Sequence, residues 1–135
     1  MMRILVSMLS VVAIGMVGAA CSSDGGVEDE TWVLSELAGS PVAAGFEATF
    51  TFDGTDIAGS GGCNRYQGKA SFDNGSVDVS GPLAVTMMAC GEETDAAERR
   101  FLQVLEEATS YSVDDDTLTL SDADDLPLAT FNAEA

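Results

Sequence analysis

From residue 31 onward, apolar and polar residues alternate in short runs that turn residues separate. The clearest run spans residues 46–52, where every second side chain is apolar and three of these four are phenylalanine. A period of two places alternate side chains on one face of a strand. The next two residues, Asp53 and Gly54, form a strong hairpin signal. The pattern therefore predicts an antiparallel sheet of short strands, with a half-buried strand over residues 46–52.

The period changes between residues 94 and 108. Apolar side chains there fall at helical spacing, at Ala97, Phe101 and Leu105. Asp95 and Glu98 are three residues apart and resemble a capping box at the start of this helix. One helix among many short strands predicts an α+β fold: a small, incomplete antiparallel β-barrel with one covering α-helix.

The first 20 residues have the composition of a targeting segment. Arg3 precedes an apolar run over residues 4–17, which is too short to span a membrane as a helix. Three small residues at 18–20 then precede Cys21 directly. This pattern predicts a lipoprotein signal peptide over residues 1–20, with a lipid on the sulfur of Cys21. The alternative is an ordinary secretory signal, which would leave an unpaired cysteine.

The rest of the chain divides into a short linker and one domain. Residues 21–30 are polar, acidic and rich in glycine, so we expect a flexible acidic tether. Residues 31–135 have the length of a single domain with one core. The predicted location is extracytoplasmic, with the lipid on Cys21 anchoring the chain to the cell membrane, or to the outer membrane if the cell has one.

The chain is strongly acidic, with a formal net charge of −18. Removal of Arg3 with the signal would make the mature form more negative by one charge. A surface of this sign repels phosphate backbones, which excludes nucleic acid as a natural partner. The acids are scattered along the chain, which favours a role in solubility over attraction of cations or a basic partner.

The residue types argue against catalysis. The chain has no histidine, which removes histidine-activated nucleophiles and the usual imidazole zinc sites. Paired carboxylates are plentiful, but they fall in predicted turns or on the polar helix face, where a catalytic pKa is hard to raise. The acids between Asp114 and Asp125 could bind calcium but lack the EF-hand order, so solvated turns are favoured. We expect no enzyme activity, no metal and no cofactor.

Two segments carry a family resemblance. The first is the stretch from Gly59 to Gly68, which contains Gly-Cys-Asn-Arg-Tyr, and the second is Thr-Met-Met-Ala-Cys at residues 86–90. Together they resemble the META domain, or HslJ-like, family of bacterial lipoproteins over about residues 31–131. Met87 departs from the pattern, because the family commonly has a basic residue there. The resemblance implies the same barrel-like α+β fold.

The resemblance also pairs the two motifs through their cysteines. Cys63 lies in the first motif and Cys90 in the second, and an exported domain meets an oxidising compartment. We therefore expect a Cys63–Cys90 disulfide. The alternative is a redox-active dithiol, which is less favoured because the chain has neither a Cys-x-x-Cys motif nor a histidine to lower a thiol pKa.

Asn64, Arg65 and Tyr66 have two interpretations. As part of a scaffold, Asn64 takes a left-handed backbone conformation, Tyr66 packs in the core and Arg65 pairs with a surface acid. As a site, the three residues form a recognition patch. The scaffold interpretation is favoured.

The sequence thus predicts a non-catalytic, lipid-anchored envelope protein with a META module that acts in binding or envelope stress maintenance. Stress maintenance is what the resemblance implies, because bacterial relatives are associated with heat shock and drug tolerance. We expect a monomer whose possible partner is another envelope protein. The alternative is a carrier that holds a small apolar ligand or acyl chain inside the barrel, among six methionines and several phenylalanines.

Overall fold

The computed structural model of the protein describes residues 26–134. Within this range the chain forms nine β-strands and one α-helix. In chain order these are β1 (Thr31–Leu37), β2 (Ser40–Pro41), β3 (Thr49–Asp53), β4 (Asp56–Ser60), β5 (Arg65–Asp73), β6 (Ser76–Val85), α1 (Glu92–Glu107), β7 (Ser110–Asp114), β8 (Thr117–Ser121) and β9 (Pro127–Ala133).

The strands form one antiparallel sheet that closes on itself. Its order is β2-β1-β3-β4-β5-β6-β7-β8-β9, and β1 also pairs with β9. The resulting ring is uneven. β5 and β6 are paired from one end to the other, whereas β6 and β7 meet at a single pair, Ser76 with Ser110. The predicted α+β class, with a mostly antiparallel sheet and one helix, is confirmed.

The predicted strand over residues 46–52 is shorter than expected. β3 begins at Thr49, and Phe46 lies in the preceding loop, where its N–H donates to the carbonyl of Ala43. The ladder between β1 and β3 ends because the far end of β1 pairs with β2 instead. Residues before Ala48 therefore have no strand edge beside them.

Aromatic side chains fill the inside of the ring. Phe50 on β3 contacts Phe72 on β5 and Phe131 on β9, with ring centroids 5.7 and 5.8 Å apart. The helix adds Phe101, whose ring lies between those of Tyr66 and Phe131, at centroid distances of 5.7 and 6.1 Å. All five side chains are buried. The helix thus packs against the ring through a side chain that reaches the centre of the core.

The helix begins at Glu92, after Gly91, and no side chain caps its first turn. The predicted capping box is therefore wrong. Asp95 accepts a hydrogen bond from the N–H of Cys90, and the Glu98 carboxylate points to a different segment of the chain. The capping box does not form because Glu98 makes tertiary contacts instead. Its carboxylate accepts hydrogen bonds from the backbone N–H groups of Cys63 and Asn64.

Because neighbouring strands alternate in direction, the ring has two different ends. The hairpin end carries the two-residue turns at 54–55, 74–75 and 115–116, together with both ends of the described chain. The loop end carries the longer segments 38–48, 61–64, 86–109 and 122–126; the first contains the short strand β2, and the third contains the helix. The two names are used in this sense below.

The chain enters the fold at the hairpin end. Val27 is fully buried, and its carbonyl accepts a hydrogen bond of 3.0 Å from the Trp32 indole. Glu28 accepts a hydrogen bond from Gly54 in the turn between β3 and β4. The last part of the predicted tether, residues 26–30, thus lies on the domain, because Val27 gives it an apolar side chain to bury.

The remainder of the predicted N-terminal organisation falls outside the described residues. This includes the signal peptide over residues 1–20, the lipidation site Cys21 and residues 22–25. Within residues 26–134, α1 does not have the length and apolar character that a membrane-spanning helix requires.

Candidate functional site

The glycine-rich corner between β4 and β5 depends on close backbone contacts. A Cβ atom added at Gly59 would lie 2.1 Å from the carbonyl oxygen of Thr49. Gly62 has a φ of 109°, and a Cβ there would lie 2.3 Å from the ring of Phe46. Only glycine combines this backbone freedom with such a close approach. The corner is therefore packed tightly against the neighbouring loop.

The carboxylate of Glu98, on the helix, binds the corner through hydrogen bonds. Its Oε2 accepts hydrogen bonds from the N–H groups of Cys63 (2.9 Å) and Asn64 (2.6 Å), and its Oε1 accepts one from Asn64 Nδ2 (2.7 Å). Glu98 is 5% exposed and is the one buried acid among residues 26–134. Burial raises the pKa of this carboxyl, but the hydrogen bonds from Asn64 and Cys63 outweigh it, so the net effect lowers the pKa.

Asn64 connects the corner to the segment that follows β6. Its Nδ2 donates to the Met88 carbonyl (3.0 Å) as well as to Glu98. Its Oδ1 accepts from Thr86 Oγ1 (2.9 Å) and from the Met88 N–H (2.6 Å). An asparagine amide has two donor hydrogens and two acceptor lone pairs, so this side chain is fully satisfied. We refer to Asn64, Glu98 and their partners Cys63, Thr86 and Met88 as the Asn64–Glu98 network.

The backbone prediction for Asn64 is wrong. The corner does contain a left-handed residue, but it is Gly62, and Asn64 is not among the residues with positive φ. Asn64 stabilises the corner through its buried side-chain amide, whose four hydrogen bonds hold it in one position.

A disulfide joins the same two segments. Cys63 at the corner is bonded to Cys90, with their Cα atoms 5.9 Å apart. The bond lies beside the Asn64–Glu98 network, because Cys63 precedes Asn64 and Cys90 lies two residues after Met88. The segment from Thr86 to Cys90 is thus attached to the corner by a covalent bond and by hydrogen bonds.

Tyr66 lies in the core directly beneath the corner. It is 3% exposed, and its hydroxyl donates a 2.6 Å hydrogen bond to the carbonyl of Thr49. Its ring meets the edge of Phe101. Burial raises the pKa of the Tyr66 hydroxyl well above its usual range, which keeps the hydroxyl protonated as a donor.

Arg65 has a different environment. Its side chain is exposed, and the one ion pair within residues 26–134 is between Lys69 and Asp56. The predicted pairing of Arg65 with a surface acid is therefore wrong for the described part of the chain. Of the three residues in the predicted recognition patch, the structure leaves Arg65 alone available at the surface.

Both methionines of the domain lie at the surface. Of the six methionines in the chain, four are in the first 20 residues, and the other two are Met87 and Met88. These two side chains are 94% and 60% exposed. Together with Val85, Arg99 and Leu102 they line a depression of about 420 Å³, which we call the methionine groove. The methionines thus form part of the outer surface and leave the interior to aromatic side chains.

The family model of the META domain matches residues 26–135. This chain belongs to the META domain family. The match begins five residues before the predicted domain start at 31, in agreement with the burial of Val27. No curated protein matches the chain.

The META fold of this chain is similar to three solved structures. An NMR structure of a protein from Burkholderia xenovorans has a TM-score of 0.66 at 24% identity, over 92% of this chain and 99% of that one. A second NMR structure has a TM-score of 0.65 at 24% identity and covers 83% and 95%. A crystal structure of a DUF4847 family protein from Bacteroides vulgatus has a TM-score of 0.58 at 15% identity and covers 78% and 93%. At these identities the similarity establishes the fold alone.

Elsewhere in this META domain the acids are dispersed. Among residues 26–134, no three or more cysteine and acidic side chains are grouped closely enough to hold a metal ion. The acids between Asp114 and Asp125, for which solvated turns were favoured over calcium binding, flank β8: three lie at and beside the turn that precedes it, and Asp122, Asp124 and Asp125 lie in the segment that follows it.

Sequence reasoning missed the role of Glu98 in the META domain, although one signal was available. Glu98 lies three residues before Phe101 and seven before Leu105, so it belongs to the apolar face of the helix. A carboxylate in such a position requires hydrogen-bond donors from another segment. The unpaired N–H groups of a tight glycine corner are suitable donors.

Proposed function

We propose that this META-family protein is a lipid-anchored envelope protein whose domain acts by binding a partner, in the maintenance of the envelope, and does not catalyse a reaction. One observation carries the proposal. The described chain enters the fold at the hairpin end, whereas the large exposed hydrophobic side chains of residues 26–134, Met87, Met88 and Leu126, lie at the opposite loop end. An anchor before residue 26 would therefore leave the loop end free for a partner.

The sequence before the domain supports the anchor. Cys21 follows three small residues, and four residues separate it from Gly26. A chain of this length reaches at most about 18 Å when fully extended. A lipid on Cys21 would hold the hairpin end close to the membrane surface and direct the loop end away from it.

The chemistry of the Asn64–Glu98 network supports binding over catalysis. A general acid near neutral pH needs a raised pKa, whereas hydrogen bonds lower the pKa of Glu98. All hydrogen-bonding groups of the Asn64 amide are also used within the network. These polar groups stabilise the corner and are not available to a substrate.

The described interior offers no support for the alternative of an apolar-ligand carrier. Within residues 26–134, the inside of the ring is filled by buried aromatic rings in contact with one another. The methionines that this alternative relied on are exposed at the loop end or lie outside the described residues.

A variant of the anchor tests the proposal. Cys21→Ser removes the sulfur that would carry the lipid, so we expect the protein to leave the detergent phase in a phase-separation assay and to lose metabolic labelling with a fatty acid. The matched control is Ser22→Ala, which changes the next side chain and retains the thiol. Equal partition of Cys21→Ser and the parent into the detergent phase would contradict the anchor.

A further inference from the structure

The side chains of the described residues that oxidants attack fall into two groups. One group is buried or already oxidised. It consists of three buried aromatic side chains and the two cysteines of the disulfide: Trp32, Tyr66, Tyr111, Cys63 and Cys90. The sequence contains no histidine. Within residues 26–134 this leaves Met87 and Met88, whose side chains are 94% and 60% exposed. Their thioethers are therefore the accessible oxidisable groups of the described domain.

A thioether reacts with a peroxide at its sulfur atom. A sulfur lone pair attacks one oxygen of hydrogen peroxide, the O–O bond breaks, and a sulfur–oxygen bond forms. The sulfur loses two electrons. The second oxygen leaves as hydroxide and takes the proton of the transferred oxygen, which gives water and methionine sulfoxide. Because hydrogen peroxide is uncharged, the net charge of −18 does not repel it from the surface.

The two methionines can gain oxygen without a change in the core. Neither side chain belongs to the buried core of residues 26–134. The contacts that hold this segment come from other atoms: the N–H and the carbonyl of Met88 bind the Asn64 amide, and Cys90 is bonded to Cys63. A sulfoxide oxygen on an exposed side chain binds water, so it does not incur the cost of a buried polar atom without a partner.

Oxidation would change the surface of the loop end. The large exposed hydrophobic side chains of residues 26–134 are Met87, Met88 and Leu126. Sulfoxide formation converts an apolar methionine into a polar side chain, so it would affect two of these three. The methionine groove would then present oxygen acceptors beside Val85 and Leu102.

We propose that Met87 and Met88 form a reversible oxidation site for peroxides, which makes the methionine groove polar and leaves the fold intact. Sulfoxides are returned to thioethers by methionine sulfoxide reductases. The disulfide of the same domain is typical of proteins in oxidising compartments. The proposal goes beyond the binding function above and does not depend on it, because the reaction requires only the peroxide and the exposed thioethers.

Peptide mapping of the full chain measures the site directly. The protein is treated with hydrogen peroxide at neutral pH, reduced, digested with trypsin and analysed by mass spectrometry. Residues 70–99 contain Met87, Met88 and no other methionine, so fragment spectra locate each added oxygen. We expect one oxygen on each side chain, first on Met87 because it is the more exposed. Treatment with methionine sulfoxide reductases A and B is expected to remove both oxygens.

A buried methionine provides the matched comparison. Leu105→Met places a thioether at a buried position of the helix, and exchange of leucine for methionine is well tolerated in cores. Residues 101–135 contain no methionine of their own, so oxidation there is measured separately. We expect Met87 to react at least about ten-fold faster, because a buried thioether reacts only when the protein opens locally. In denaturant the two rates are expected to be equal.

Two further measurements test the consequences for the surface and the fold. Retention of the protein on a hydrophobic-interaction column is expected to decrease after peroxide treatment, whereas the midpoint of denaturant unfolding is expected to stay the same. A Met87→Leu, Met88→Leu double variant keeps two apolar side chains but lacks the thioethers. Its retention is therefore expected not to change with peroxide.

Three results would overturn the proposal. One is oxidation of Met87 and Met88 that is no faster in the folded protein than oxidation of the thioether in Leu105→Met. Another is a lower unfolding midpoint in the treated parent but not in the treated double variant, which would show that oxidation damages the fold. The third is oxygen that the reductases do not remove. All three are independent of the Cys21→Ser fractionation, so the anchor and the oxidation site can fail separately.

Discussion

The two ends of the sheet are stabilised by different means. At the hairpin end, the strands are joined by two-residue turns whose first residues, Gly54, Asn74 and Asp115, have positive φ. At the loop end, the segments are held by the buried side chains of Asn64 and Glu98 and by a disulfide. Adjacent residues determine the turns, whereas the contacts at the loop end join residues that are 22 to 35 positions apart.

The stability of the hairpin end therefore depends on backbone conformation, whereas the stability of the loop end depends on buried side-chain hydrogen bonds. A turn tolerates any residue that can adopt its φ, so a substitution at the hairpin end changes the local backbone energy. A substitution in the Asn64–Glu98 network instead leaves buried donors without partners. We therefore expect larger losses of stability at the loop end, and four predictions test this order.

The largest loss is expected for Tyr66→Ala, beneath the glycine corner. The substitution removes a buried ring that contacts Phe101 and a hydroxyl that bonds to Thr49. We expect the free energy of unfolding to fall by about 4 kcal/mol, as for other large aromatic truncations. Denaturant titration measures it.

Arg65→Ala is the control for Tyr66→Ala, because it truncates the adjacent, exposed side chain. The expected change is below about 1 kcal/mol, since no ion pair is lost within the described residues. A parent-like melt of Tyr66→Ala would contradict the role of the tyrosine in the core.

Reduction of the Cys63–Cys90 disulfide is expected to have the next largest effect. The cysteines are 27 positions apart, and the loop-closure entropy for this separation corresponds to about 3.5 kcal/mol. Thermal melts with and without a reductant measure it. We expect the reduced protein to retain its fold, because the hydrogen bonds of Asn64 still hold Met88. A Cys63→Ser, Cys90→Ser double variant that melts like the parent would contradict the stabilising role of the disulfide.

The third prediction concerns Glu98→Gln. The amide has one acceptor oxygen in place of two, and its NH₂ group faces N–H donors. We expect the free energy of unfolding to fall by about 2 kcal/mol. Glu93→Gln, an exposed acid in the first turn of the same helix, is the matched control and is expected to change it by less than about 0.5 kcal/mol. Equal effects of the two variants would show that the network contributes nothing specific.

Glu98 also predicts a pH dependence with a definite sign. Its pKa in the folded protein is lowered below the value of about 4.3 for an unfolded glutamate. The unfolded chain therefore binds the proton first as the pH falls, and the stabilisation is complete above about pH 4.3. It is lost as the pH falls through the folded pKa. Denaturant titrations across this range are expected to show a shallower acid decline for Glu98→Gln than for the parent.

The smallest effect is expected at the hairpin end, for Asn74→Ala. Asn74 has a φ of 50°, a left-handed conformation that costs alanine about 1 kcal/mol. Asn74→Gly is the control and is expected to change stability by less than about 0.5 kcal/mol, because glycine adopts this conformation readily. A loss in Asn74→Ala as large as that in Glu98→Gln would remove the distinction between the two ends.

The same distinction explains what the sequence could predict. Alternation placed Phe50 and Phe52 on a buried face, and Asp53-Gly54 marked the hairpin turn between β3 and β4. Helical spacing located Phe101 and Leu105. Each of these signals depends on neighbours within a few residues, and the structure agrees with them.

The errors concern residues whose partners are distant in sequence. Glu98 was assigned to a local capping box because its partners, Cys63 and Asn64, lie 34 and 35 positions away. Asn64 was assigned a local backbone role, although its side chain binds a segment 24 positions later. Phe46 was included in a strand because the pairing of β2 with β1 is not visible in the alternation. Tertiary contacts decided all three cases.

The pairing of β1 with β9 has a consequence for how the molecule is assembled in time. Trp32 in the first long strand lies opposite Ala133 in the last, so nearly the whole domain separates the two partners. The ring cannot close until β9 lies between β8 and β1. Until then β1 presents an open edge to its surroundings. Assembly of the ring is therefore expected to finish with a long-range step, the docking of β9 against β1.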